Sequence, residues 1–268
     1  MSELSYQIHG TDLQYVEVLM APNTAFIGEQ GAMMYMDENI DVTSVLGDGS
    51  ASKFGAIGRF IKAIKRSFTG ESLFSSRYQN NAKIVQRIAF ATPGVSKIIG
   101  IDLTALGGEL ICQKGAYLAG EAGIEVKLAW QKRLRVGFFG GEGFIMQRIV
   151  GNGITFISAS GALKEMTLTP GQTLKVDSGC LVALSPTVSY EIKYAGKIKT
   201  ALFGGEGLFY ASLTGPGKVW LQSLPERRLA SNLMRLATFG RSNGIGGKLY
   251  LVFIIIVVLI SIFSSIEP

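Results

Sequence analysis

Phe139-Gly140-Gly141-Glu142-Gly143-Phe144 returns almost unchanged as Phe203-Gly204-Gly205-Glu206-Gly207-Leu208, at an offset of 64 residues. The same offset carries Gly151-Asn152-Gly153 onto Gly215-Pro216-Gly217, so two punctuation marks recur in register. A weaker third copy begins at Gly70-Glu71-Ser72-Leu73-Phe74, with Asn80-Asn81 standing where the later copies have Gly-x-Gly. Working outward, Ile40, Ile124 and Val188 each open an apolar strand, separated by 84 and then 64 residues. One unit is therefore written three times, over about 13–90, 98–157 and 162–223. The 20 additional residues of the first unit fall after Leu46.

Composition agrees with short strands and tight turns. The chain has 268 residues, 34 of them glycine, with 47% hydrophobic and only 17% charged. Glycine supplies the positive φ that hairpins and bulges need. Tyr15-Val16-Glu17-Val18-Leu19 alternates as a half-buried strand and stops at Pro22-Asn23. A second strand is expected from Ala25 to Met36, and a third from Ile40. Strands are also expected on both sides of each Gly-Glu element: Arg133–Phe139 with Phe144–Ile149, and Ile198–Phe203 with Leu208–Leu213. Units this small cannot bury their apolar faces separately. The expected fold is all-β, with three repeated units around a pseudo-threefold axis as a β-prism or barrel-like sandwich.

Two segments depart from this pattern. In the insertion at 47–69, Phe54, Ile57, Ile61, Ile64 and Phe68 form a single helical stripe, with lysines and arginines between them. This reads as a basic amphipathic helix. It is either a lid on the β core or a surface on which Lys62, Lys65 and Arg66 meet anionic headgroups while Phe68 enters the interface. Beyond Leu221 the pattern becomes helical, giving an amphipathic helix and linker over 224–248. From Leu249 to Phe263 every residue but Ser261 is apolar, and the run extends to Ile266. As a helix these residues would span roughly 27 Å, enough for a bilayer. Lys248, Arg241 and Arg235 precede the run and no Lys or Arg follows it. The sequence thus predicts a tail anchor at 249–266, with membrane lipids as a partner. It makes the chain a single-pass membrane protein whose N-terminal domain is cytoplasmic.

At this point the residues resemble a known family. The threefold β pattern, Gly70–Phe74 and the repeated Phe-Gly-Gly-Glu-Gly are similar to the mitochondrial biogenesis, or altered inheritance of mitochondria, family, over roughly Leu4 to Ser223. Its prokaryotic members are filed as a domain of unknown function. The resemblance implies a fold like that of the trp RNA-binding attenuation protein, with three related units in one chain. It implies no established enzyme activity. Eukaryotic relatives are tied to mitochondrial inner-membrane organisation.

Chemistry is sparse. Glu71, Glu142 and Glu206 hold equivalent places, so they form a candidate ring for a metal or a basic partner; as easily, each accepts backbone N–H bonds in its turn. Neither Gly-Glu-Gly is followed by the Lys-Ser/Thr of a phosphate-binding loop. His9 is the sole histidine and reads as a surface residue; a histidine-based metal cluster is excluded. Cys112 and Cys180 lie in apolar surroundings and read as core thiols. The net charge of +6 raises nucleic acid as a partner, but aromatics do not interleave with Lys/Arg outside the basic helix, which disfavours it. No catalytic residue, cofactor or resident metal is predicted. The expectation is a non-enzymatic, tail-anchored scaffold or adaptor for unknown protein partners, with a homo-oligomer allowed by exposed sheet edges. The alternative is a binding module for a small anion, metal or RNA.

Overall fold

The computed structural model describes residues 4–46, 74–92, 94–129, 144–194, 209–225, 228–230 and 233. They form nineteen strands. After β1 (Ser5–His9), six strands make a first unit: β2 (Tyr15–Met20), β3 (Ala25–Glu29), β4 (Met33–Met36), β5 (Ile40–Leu46), β6 (Phe74–Asn80) and β7 (Gln86–Ala91). The second unit holds β8 (Ser96–Asp102), β9 (Glu109–Gln113), β10 (Tyr117–Glu121), β11 (Glu125–Leu128), β12 (Met146–Val150) and β13 (Ile154–Ser160). The third holds β14 (Leu163–Leu168), β15 (Thr173–Asp177), β16 (Leu181–Leu184), β17 (Ser189–Tyr194), β18 (Phe209–Thr214) and β19 (Gly217–Gln222).

One antiparallel pairing plan recurs in all three units. The first strand pairs with the sixth, the second with the fifth, the third with the sixth and the fourth with the fifth. Each unit is thus split between two half-sheets, and neighbouring units fuse their halves. β3 of the first unit pairs with β10 of the second, and β9 of the second with β16 of the third. The result is two six-stranded sheets between a four-stranded and a three-stranded one. The third strand is bulged at one place in each unit, between Met33 and Tyr35, Tyr117 and Ala119, and Leu181 and Ala183.

The inward residues of these strands build three cores, one per unit. Val16, Val18, Phe26, Ile88 and Phe90 centre the first, Leu110, Ile124, Ile149 and Ile157 the second, and Leu168, Leu181, Leu184 and Leu213 the third. Alternation accounts for this: in β2, Val16, Val18 and Met20 are buried while Tyr15, Glu17 and Leu19 face outward. The expected single strand from Ala25 to Met36 is two strands. Gly31, at φ +84°, supports the turn between them, which Ala32 N–H closes on Glu29 O at 3.1 Å.

The structure departs from the expected architecture in two further respects. Among the described residues no sheet closes, and no strand pairing and no core joins the first unit to the third; the joins are those of the first unit to the second and of the second to the third. The tail anchor is corrected as well. Contact within the chain separates Met1–Leu224 from Pro225–Pro268, and in the latter the described helical residues are 228–230 and 233. A span needs some 18–20 apolar helical residues. Among the described residues no helix is long and apolar enough to cross a membrane. Residues 249–266 lie outside them, so lipid contact through an anchor and the single-pass, cytoplasm-facing arrangement are without structural support.

Candidate functional site

The basic segment with Lys62, Lys65, Arg66 and Phe68 lies outside the described residues, as do Glu71, Glu142 and Glu206. The strands that bracket the glutamates are described. Each glutamate falls between the fourth and fifth strands of its unit, in the links β5–β6, β11–β12 and β17–β18. In chain order all three therefore hold the same position among the strands. Of the flanking strands expected from sequence, β12 and β18 are present, while 133–139 and 198–203 lie outside the described residues.

The richest cluster of polar and aromatic side chains is instead on the outer face of the first sheet. The Tyr35 hydroxyl donates to Glu17 Oε2, joining β4 to β2 across β7. Tyr15 meets Tyr35 edge-on at 6.5 Å between centroids, and His9 of β1 stacks on Tyr15 at 4.8 Å. At the end of β4, Arg87 Nη2 and Nε donate to Asp37 at 3.1 and 3.3 Å, and the Arg87 backbone N–H donates to the same carboxylate at 2.7 Å. Arg87 thereby holds the Asp37 carboxyl below its ordinary range. The hydrogen bond to Glu17, helped by desolvation and the Glu17 charge, pushes the Tyr35 phenol up to about 12. Tyr35 therefore stays a neutral donor near neutral pH. Glu17 and Asp37 are both engaged by donors, so the strip presents aromatic surface rather than an acid–base pair.

His9 is half-buried rather than a surface residue, because β1 joins β2 and its ring packs on Tyr15; its Nε2 has no hydrogen-bond partner. Cys112 is fully buried, and desolvation pushes its thiol up to about 12; Cys180 is only partly buried. At the junction of the first two units the buried Tyr117 hydroxyl donates to Ile27 O at 2.7 Å. Gln147 of β12 is fully buried, and neither its amide oxygen nor its amide nitrogen has a partner. Sequence reading missed the strip and Gln147, since both depend on which strands become neighbours. Among the described residues no group of three or more His, Cys, Asp or Glu is placed to hold a metal.

These features define an all-β repeat protein: three six-stranded units in series, fused through shared sheets. The chain belongs to the mitochondrial biogenesis AIM24 family, whose profile matches residues 6–224. It is similar to an uncharacterized protein of Streptococcus pyogenes serotype M6, with 29% identity over 209 residues, covering 77% of this chain and 80% of that one. A crystal structure of a Streptococcus pyogenes protein shares the fold with a TM-score of 0.70 at 24% identity, over 87% of this chain and 100% of that chain.

Proposed function

We propose that this chain is a non-enzymatic scaffold or adaptor whose first unit binds protein partners. In this reading the three units are copies of one module, each the counterpart of the trp RNA-binding attenuation protein fold. The observation that supports it is the distribution of exposed apolar side chains. Leu13, Leu19, Met33, Met34, Ile84 and Val85 all stand exposed in the first unit or the segment leading into it. Among the described residues from Thr92 to Leu224, Val95, just ahead of β8, is the one large apolar side chain exposed to that degree. Concentrated exposed apolar surface marks interaction sites on soluble faces of proteins.

Membership attaches the chain to a family described by mitochondrial biogenesis. The relative from Streptococcus pyogenes is bacterial and uncharacterized. In this reading what carries over between the two settings is the all-β repeat fold, used as a binding scaffold. Proximity labelling from the full-length chain in its native cell tests the proposal. A Leu19→Glu/Ile84→Glu variant should fold normally and lose the neighbours labelled by the wild type; an unchanged set of neighbours overturns it.

A further inference from the structure

The outward face of the first sheet holds a corner built from aromatic rings and small residues. His9 and Tyr15 are cross-strand partners on β1 and β2, and their rings lie within 15° of parallel. His9 therefore covers one face of Tyr15 from the β1 side, and the other face turns toward β7, where the residue opposite is Ala91. Ala91 contributes only a methyl group. Across β7, Tyr35 of β4 is opposite Ala89, and its ring is inclined at 64° to that of Tyr15. Two aromatic walls thus rise over a floor of two alanines.

Glu17 bounds the corner along β2. It is the next outward residue after Tyr15 and is itself opposite Ala89, which is fully buried although it lies on the outward side. The bond from the Tyr35 hydroxyl to Glu17 crosses above this alanine. That donor is neutral, and among the described residues no Lys or Arg forms an ion pair with Glu17. Arg87, on the same face, is held by Asp37 through Nη2 at 3.1 Å and Nε at 3.3 Å. The corner therefore joins a free ring face, a second ring set across it and a carboxylate without a cationic partner.

We propose that this corner binds a quaternary ammonium group of the choline type. Aromatic rings attract a cation placed within about 6 Å of the centroid. The Tyr15 and Tyr35 centroids are 6.5 Å apart, so a single cation reaches both. Its charge complements Glu17. Hydrogen bonding selects the alkylated form: a primary ammonium brings three donors, and the carboxylate that meets them already accepts from Tyr35. A trimethylammonium brings none, and its methyl groups pack against the rings and the alanines. A divalent metal fits poorly, because it takes several oxygen ligands and among the described residues no group of three or more His, Cys, Asp or Glu is placed to supply them. Choline binding requires no protein partner, so it succeeds or fails separately from the labelled neighbours.

Choline titrated by calorimetry into the full 268-residue chain should bind in the millimolar range or tighter. Dimethylbutanol, its neutral carbon isostere, should bind at least about tenfold more weakly. Tyr15→Leu should weaken choline by at least about tenfold, whereas Tyr15→Phe keeps the ring and should retain it. Glu17→Gln leaves Tyr35 an acceptor but removes the charge; it should weaken choline and flatten the fall in affinity with added salt. Circular dichroism establishes that each variant is folded, and if Tyr15→Leu is not, Glu17→Gln and the isostere carry the test. Phosphatidylcholine vesicles present the same group: sedimentation with them assigns a lipid headgroup as the source and binding of choline alone a free solute, and both support the site. A wild type that does not bind choline overturns the inference. So does equal affinity for choline and dimethylbutanol, or choline affinity unchanged in folded Tyr15→Leu or in Glu17→Gln.

Discussion

Asn80 donates its backbone N–H to Thr24 O at 2.9 Å, and the bond recurs in the other units, from Gly151 to Gly108 O and from Gly215 to Gln172 O, both at 3.0 Å. These three bonds tie the end of each fifth strand to the turn before each second strand. Only the first unit uses a residue with a side chain there. Asn80 is fully buried, and its Nδ2 donates to the carbonyls of Met20, Ala21 and Ile84 at 2.9, 3.1 and 3.0 Å, while its Oδ1 accepts from Ala82 N–H at 2.9 Å. Removing the amide leaves three carbonyls without that donor. Asn80→Ala should cost about 3 kcal/mol, seen as a melting temperature lower by about 6–12 °C. Asn80→Asp, which turns an acceptor toward those carbonyls, should be at least as damaging; a neutral result for either would remove this cluster from the folding argument.

Gly151 and Gly171 separate two reasons for glycine. Gly171 has φ +77° and open space where a Cβ would sit, so Gly171→Ala meets only the left-handed backbone penalty, about 1–2 kcal/mol. At Gly151, φ is +150° and a Cβ would lie 2.8 Å from Gly123 O and 2.9 Å from Ile124 Cα, both backbone atoms. Gly151→Ala should therefore cost about 3–5 kcal/mol, the backbone penalty plus overpacking. Chemical denaturation of the two variants measures the difference. Equal losses would mean that the close approach of the two turns is not tight in solution.

Much of the fold was legible because its determinants are local. Period-two alternation marks Tyr15–Leu19, and the recurring apolar residues Ile40, Ile124 and Val188 are buried at the starts of the fourth strands. Turn residues recur too: Pro22-Asn23, Leu106-Gly107 and Pro170-Gly171 all sit between first and second strands. The split of Ala25–Met36 was hidden because an apolar run reads the same whether or not a glycine turns it. Closure was not legible for a nonlocal reason. Repetition shows that the units are alike, whereas the angle between successive units, which decides between a closed prism and an open series, comes from the twist of shared sheets. The Glu17–Tyr35 contact was equally invisible, since β2 and β4 are brought together only by β7 between them.

Acid should weaken the third unit first at Glu165. Its Oε1 accepts from Lys218 Nζ at 2.7 Å and its Oε2 from the Trp220 indole N–H at 3.0 Å. The Lys218 hydrogen bond, with help from Trp220, holds the carboxyl below its ordinary value. A folded value below the unfolded one means stability that is fully present above the unfolded carboxylate range, near about 4.3, and lost as pH falls through the lower folded value. Glu165→Gln should therefore melt below the wild type at pH 6, and the gap should close on acidification below that range. The test is a pair of melting curves at each pH. A gap that persists unchanged in acid would show that the carboxylate charge is not what matters.

Gln147 makes the opposite prediction about stability. It lies between Cys112 and Leu128 in neighbouring strands, on the first strand after the link that contains Glu142, and its amide is buried without a partner. Burying an unpaired amide opposes folding, and an apolar side chain of similar volume removes that cost. Gln147→Met should raise stability by about 1 kcal/mol, measurable as a higher urea midpoint with an unchanged slope. A destabilised variant would show that the amide is hydrogen-bonded in solution. A stabilised one would mark Gln147 as a position where the chain forgoes stability. The next measurement would then be whether the same substitution alters the neighbours found by proximity labelling, because a costly polar group at a strand junction is explained once something beyond the fold uses it.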